Sequence, residues 1–259
     1  MKKLSIALIG VLLLTLGIAT FAHAKSFSQL VIDLEKSVKW KSQSSSWRSR
    51  RSGWLSDVRA AGRSVARHKK LLKEFEKKIK WSAQYKSWKR KRSAWLRKVG
   101  RSRYLGDLAL NLLALEKSIK YAAQARSWKR KRRNWINNVK AMGFGEMMIT
   151  LEKSVKWKSQ SSSWRSRRTQ WIADIRNAGS SVSTLKRLLK EFEKKIKWSA
   201  QYKSWKRKRK PWIRKVNSTT SISRLAKRLI ELEKSIKYAA QARSWKRKRS
   251  SWLTTTRGL

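Results

Sequence analysis

The chain has 259 residues, 68 of them Lys or Arg and 14 Asp or Glu, for a formal net charge of +54. Charge of one sign on that scale repels itself in any compact state, so the composition implies a partner dense in negative charge rather than a merely basic soluble protein. Cys is absent, which excludes disulfides, thiolate metal sites and cysteine nucleophiles and leaves stability to packing alone.

The first element is a candidate export signal. Lys2 and Lys3 precede an almost wholly apolar run, Leu4 to Phe21, and Ala22-His23-Ala24 has the small-x-small pattern of a cleavage site. Residues 1–24 are therefore expected to be removed, leaving Lys25 first and the charge at 54 less two lysines, +52. The alternative is an uncleaved N-terminal anchor. No Cys follows the run, which argues against a lipoprotein, and no later stretch approaches about 18 apolar residues. The expected location is periplasmic or secreted.

From there the chain repeats. Related segments begin at Glu35, Glu76, Glu116, Glu152, Glu193 and Glu233, with spacings of 41, 40, 36, 41 and 40. Copies one and four share EKSVKWKSQSSSWRSRR, copies two and five KEFEKKIKWSAQYKSWKRKR, and copies three and six LEKSIKYAAQARSWKRKR, each pair offset by 117 residues. A three-copy block was duplicated, giving residues 25–142 and 143–259.

Each copy reads as helix, because Lys, Arg, Ala, Glu, Leu and Gln dominate it. Glu35–Lys39 and its equivalents Glu76–Lys80, Glu116–Lys120, Glu152–Lys156, Glu193–Lys197 and Glu233–Lys237 sit at i,i+4 in the favourable order. Gly62, Gly100, Gly143 with Gly145, Gly179, and Asn217 to Thr220 are expected to separate the helices, with Ser64, Ser183 and Ser223 as caps. The expected fold is all-α: six helices of about 28–35 residues in two tandem three-helix blocks, as bundles or as a helical repeat array. Pro211, matched by Gly53 in copy one, suggests a kink before the last Trp of each copy.

All 16 Trp fall at equivalent positions. They run at heptad spacing: Trp40, Trp47, Trp54; Trp81, Trp88, Trp95; Trp128, Trp135 after Tyr121; Trp157, Trp164, Trp171; Trp198, Trp205, Trp212; and Trp245, Trp252 after Tyr238. On an unbroken helix this is one face. Arg51, Arg92, Arg132, Arg168, Arg209 and Arg249 lie four after the middle Trp and three before the last, which would set each guanidinium between two indoles. Two readings stay open: an aromatic core, or a seam exposed for stacking. An aliphatic seam, for example Leu72, Phe75 and Ile79 or Leu229, Leu232 and Ile236, occupies the first half of each copy.

The candidate binding cations are the basic runs after the middle Trp: Arg48, Arg50, Arg51; Lys89, Arg90, Lys91, Arg92; Lys129, Arg130, Lys131, Arg132; Arg165, Arg167, Arg168; Lys206, Arg207, Lys208, Arg209; and Lys246, Arg247, Lys248, Arg249. They point to a polyanion: nucleic acid, lipopolysaccharide, an acidic polysaccharide or polyphosphate. Basic helices rich in Trp also suit an anionic membrane surface, and identical repeats suit self-association into a structural or adhesive coat. No phosphate loop, dinucleotide fingerprint or nucleophile elbow is present, no cofactor or metal is expected, and His68 and Asp57 are expected at the surface without a catalytic role.

Overall fold

The computed structural model describes residues 25–259, and the expected signal segment lies outside them. The fold is all-helical, but the number of helices differs from expectation: the described residues form eleven α-helices, not six. Each copy is divided between two helices, and the order is α1 (Phe27–Ser37), α2 (Trp47–Ala60), α3 (Val65–Lys78), α4 (Lys86–Arg101), α5 (Leu105–Ser118), α6 (Arg126–Ser154), α7 (Trp164–Asn177), α8 (Val182–Lys195), α9 (Lys203–Asn217), α10 (Ile222–Ser235) and α11 (Trp245–Arg257). Only α6, at 29 residues, reaches the expected length, and it does so by joining the second half of copy three to the first half of copy four.

Every copy leaves the helix at the same place. The residue three after the repeat Glu, as at Val38 or Ile79, turns extended, and a 3-10 turn such as Trp40–Ser42 follows before the chain re-enters a helix. The backbone groups released there are taken up by the neighbouring copies. In the first block Ser44 N donates to Lys78 O and Lys80 N to Ser42 O, joining copies one and two. Tyr85 N to Ser118 O and Lys120 N to Ala83 O join copies two and three, and Ala125 N to Ser37 O and Lys39 N to Ala123 O join three back to one. The three hooks therefore close a ring. The second block repeats it, with bonds such as Ser161 N to Lys195 O, Tyr202 N to Ser235 O and Ala242 N to Ser154 O. Each block is a closed pseudo-threefold unit, neither an open solenoid nor a bundle of straight helices.

Breaking the helix before the first aromatic also breaks the single Trp face. The middle and last Trp of each copy, from Trp47 and Trp54 to Trp245 and Trp252, are buried. They meet edge to face at 5.2–5.6 Å. The last Trp then reaches the first helix of the next copy. Trp54 Nε1 donates to Leu71 O, Trp95 to Asn111 O and Trp135 to Leu30 O, so the indoles close the same ring as the hooks. Trp171, Trp212 and Trp252 do likewise on Leu188, Arg228 and Met147. The aliphatic seam fills the space between, and the buried apolar side chains form two clusters, one within residues 27–139 and one within 141–259.

Several local expectations are corrected. Pro211 sits inside α9, which continues through it, so the break lies before the middle Trp rather than the last. Gly143 and Gly145 do not end a helix but lie within α6, where a Cβ would meet Leu259 Cδ2 or Ile175 Cγ2 at 2.8 Å; the glycines permit close packing. Gly62 and Gly179 do turn the chain, at φ of 53° and 55°. Ser64 caps α3 as expected, but Ser181 and Ser221 cap α8 and α10 in place of Ser183 and Ser223. His68 is wholly buried, not at the surface, between Ser28 Oγ at 3.1 Å, Ser64 O at 2.9 Å and the ring of Phe27. Asp57 is exposed and pairs with Arg50.

Candidate polyanion-binding surface

The repeat Glu decides which cations face outward. Its first-half helix carries it into the core, where Glu35, Glu76, Glu116, Glu152, Glu193 and Glu233 are each 2% exposed or less. A carboxylate taken out of water must be paired and hydrogen-bonded. The i,i+4 Lys does not do this, because it falls where the helix has ended. The partner is the Arg 16 residues downstream: Arg51 Nε lies 2.7 Å from Glu35, and Arg92, Arg132, Arg168, Arg209 and Arg249 repeat the contact at 2.5–2.7 Å. The middle Trp donates Nε1 to the same carboxylate, from Trp47 through Trp245, at 3.0–3.3 Å. Hydrogen bonds from these carboxylates raise the guanidinium pKa of Arg51, Arg92, Arg132, Arg209 and Arg249 above its ordinary value, against the opposing effect of burial.

The Arg is thus a structural cation and does not stand between two indoles. It leans instead on the first aromatic of its own copy. Arg51 Cζ lies 5.3 Å from the Trp40 ring centre, and Arg92, Arg132, Arg168 and Arg209 lie 5.2–5.8 Å from Trp81, Tyr121, Trp157 and Trp198. Arg50 and Arg167 are also engaged, each bridging an Asp and a Glu: Asp57 with Glu74, and Asp174 with Glu191. Burial would raise the Asp174 carboxyl, but hydrogen bonds from Gln170 and Arg167 outweigh it and hold the carboxyl below its usual range.

The other expected cations point outward. Arg48, Lys89, Arg90, Lys91, Lys129, Arg130, Lys131, Arg165, Lys206, Arg207, Lys208, Lys246 and Arg247 are exposed, and Lys248 is partly so. No acid is left to neutralise them. Beyond the six repeat Glu and the two bridged pairs, Asp33 holds Lys25, Glu231 holds Arg228, and Glu146 lies near Arg176. Asp107 caps the start of α5 and accepts from Thr255. Burial raises the Glu146 carboxyl above its usual range, although Arg63 and Lys153 act against that.

The aromatic seam divides. Twelve Trp are core, while Trp40, Trp81, Trp157 and Trp198 are 50–52% exposed, and Tyr121 and Tyr238, in the same repeat position, 65% and 63%. With Tyr85 and Tyr202 these are the exposed large apolar side chains of the described residues, and none is aliphatic. Each first aromatic lies along the outer face of its own second helix. In copy five Trp198, Lys206, Arg209, Lys210, Ile213 and Arg214 line a depression of about 370 Å³. In copy three Tyr121, Lys129, Arg132, Arg133 and Ile136 join Lys39 of copy one around about 790 Å³. The equivalent groove of copy six, around Tyr238, Lys246, Arg249, Leu253 and Lys156, holds about 840 Å³. The basic-run reading missed Tyr121, Tyr238, Lys39 and Lys156. The tyrosines were legible from register alone, since they replace the first Trp, but the lysines come from another copy, and ring closure brings them in.

The model of a family described as a domain of unknown function, DUF8799, matches residues 62–129 and again residues 179–251, together more than half of the chain. Both matches start at the positive-φ glycine, Gly62 or Gly179, and take in the second copy of a block and the third as far as residue 129 or 251, short of its last Trp. Copies one and four, which complete each ring, lie outside them. No curated protein and no solved structure matches.

Proposed function

The chain belongs to this family, whose function is unknown, and from that premise we propose that the protein is an exported, non-enzymatic binder of polyanions. The observation that carries this reading is the fate of the acids. Every Asp and Glu is held by contacts within the fold, while the runs such as Lys89-Arg90-Lys91 and Lys206-Arg207-Lys208 stand in solvent without a counterion. Such a surface draws in a polymer of negative charge and releases that polymer's condensed counterions.

Helix polarity adds support. The second helices α2, α4, α6, α7, α9 and α11 carry no acid in their first turn, and their cations crowd the positive end of the dipole. Each misplaced charge costs a few tenths to about 1 kcal/mol, which a bound anion relieves. The expected groups are Lys89, Arg90 and Lys91 with their equivalents, and not the Arg held by the buried Glu.

The test is salt dependence. Replacing the outward cations of all six runs by Gln keeps helix propensity. Binding should weaken, and the log–log salt slope on duplex DNA should flatten by about 0.9 for each phosphate no longer neutralised. A Gln variant that binds DNA, polyphosphate and lipopolysaccharide as tightly as the parent at moderate salt would end the reading. Export is tested by N-terminal sequencing of material recovered outside the cytoplasm, which should start at Lys25.

A further inference from the structure

We propose that the six first aromatics are stacking platforms for bases, and that the polyanion is a single-stranded nucleic acid held at equivalent sites around both rings. This rests on the polyanion reading and narrows it. Three features point to a ligand that carries rings to stack along a charged backbone, as the bases of a single strand do.

The first is the contrast within the seam. Twelve Trp are buried, so the fold readily covers an indole when it needs one, yet Trp40, Trp81, Trp157 and Trp198 stay half in solvent. Tyr takes the position in copies three and six, which preserves a flat ring where size changes. The second is rigidity. Five of the six rings lie under an Arg, and that Arg is held by a buried Glu, as Trp81 lies on Arg92 and Arg92 on Glu76. A platform fixed in advance pays little side-chain entropy when a base stacks on it. The third is what surrounds the ring. Cations follow on the adjoining helix face, Lys206 and Lys210 beside Trp198 and Lys129 and Arg133 beside Tyr121, so a base on the ring sets its phosphates among cations.

The same features disfavour a lipid surface, polyphosphate and duplex DNA. A helix that lies in a lipid interface buries a continuous apolar face, whereas the exposed large apolar side chains of the described residues are Trp and Tyr rings set among cations. Polyphosphate has no ring to use the platforms. Paired duplex DNA hides its base faces, whereas single strands offer them.

The experiment compares an oligothymidylate of about 16 nucleotides with polyphosphate of matched charge at the same moderate salt. It uses the parent, a variant with Trp40, Trp81, Tyr121, Trp157, Trp198 and Tyr238 all changed to Ala, and a Tyr variant of the four Trp. The parent should prefer the oligonucleotide. The Ala variant should lose about 5- to 150-fold in oligonucleotide affinity for each stacked base given up, keep its polyphosphate affinity, and keep its circular dichroism spectrum, since the rings removed are half-exposed. The Tyr variant should retain most of the preference. An Ala variant that binds oligonucleotide like the parent, or that loses both ligands equally, overturns this inference and leaves the polyanion reading standing. A parent that binds neither ligand overturns the polyanion reading itself.

Discussion

At the scale of single residues the protein is governed by six buried carboxylates. Glu76 accepts from Arg92 Nε at 2.7 Å and from Trp88 Nε1 at 3.1 Å, and it has almost no solvent. Glu76→Gln keeps the shape and removes the charge, leaving Arg92 without its counterion. The expected loss is about 3 kcal/mol, at the low end for breaking a buried pair, because a quarter of the Arg92 side chain still reaches water. Urea unfolding measures it, and a midpoint equal to the parent's would show that the pair is not stabilising. His68 gives a pH signature confined to the first block, since Leu185 and Gly145 stand where the second block would need His68 and Ser28. Burial lowers the His68 pKa, with the Ser64 carbonyl acting against it. The unfolded chain therefore gains this proton first as pH falls. The stability tied to neutral His68 is complete above about pH 6.5 and drains as pH falls from there to the folded pKa. Thermal melts at about pH 7.5 and 5.5 should separate for the parent and converge for His68→Leu.

At the scale of elements, the helix–hook–helix copy assigns opposite roles to aromatics seven residues apart. Trp88 is 5% exposed, packs on Trp95 at 5.6 Å and donates to Glu76; Trp81 is 52% exposed. Trp88→Ala should cost about 3–5 kcal/mol, whereas Trp81→Ala should stay within about 0.5 kcal/mol. Equal losses would mean that both rings belong to the core. Trp positions were legible as a periodic set, yet their split was not, because periodicity locates a face only while the helix lasts. The local sequence gives no stop signal at Val38 or Ile79: neither Gly nor Pro is there, and the flanking Lys and Glu are good helix formers. The helix stops because a neighbouring hook offers Lys39, Lys80 and Lys120 backbone partners that helix continuation would forgo.

At the scale of the whole molecule, internal pairing uses up the acids, and the outer surface is left to repel itself. Salt should therefore stabilise this protein, since the surface cations are screened while the buried Glu–Arg pairs are screened much less. The melting temperature should rise between about 20 mM and 0.5 M NaCl, by about 2–4 °C for each kcal/mol of repulsion removed. Polyphosphate should raise it at far lower concentration by binding the folded state. A melting temperature that falls with salt would mean that exposed ion pairs, not repulsion, dominate.

The sequence by itself determined the helical class, the six copies, their 117-residue duplication and the excess of cations, because composition and register are properties of the chain read in order. It also located the buried apolar seam, since Leu72 and Phe75 keep helical spacing within a helix that is real up to Lys78, and Ile79, just past its end, is buried beside them. Tertiary structure alone decided the rest. Whether Glu35 pairs with Lys39 or Arg51, and whether Trp40 faces the core or the solvent, depends on where the helix breaks. That point is fixed by hydrogen bonds from copies about 40 and 80 residues away, such as Lys80 N to Ser42 O and Lys39 N to Ala123 O. Local propensity differs by less than about 1 kcal/mol per residue between helix and hook, so partners supplied by ring closure outweigh it, and no window of sequence contains them.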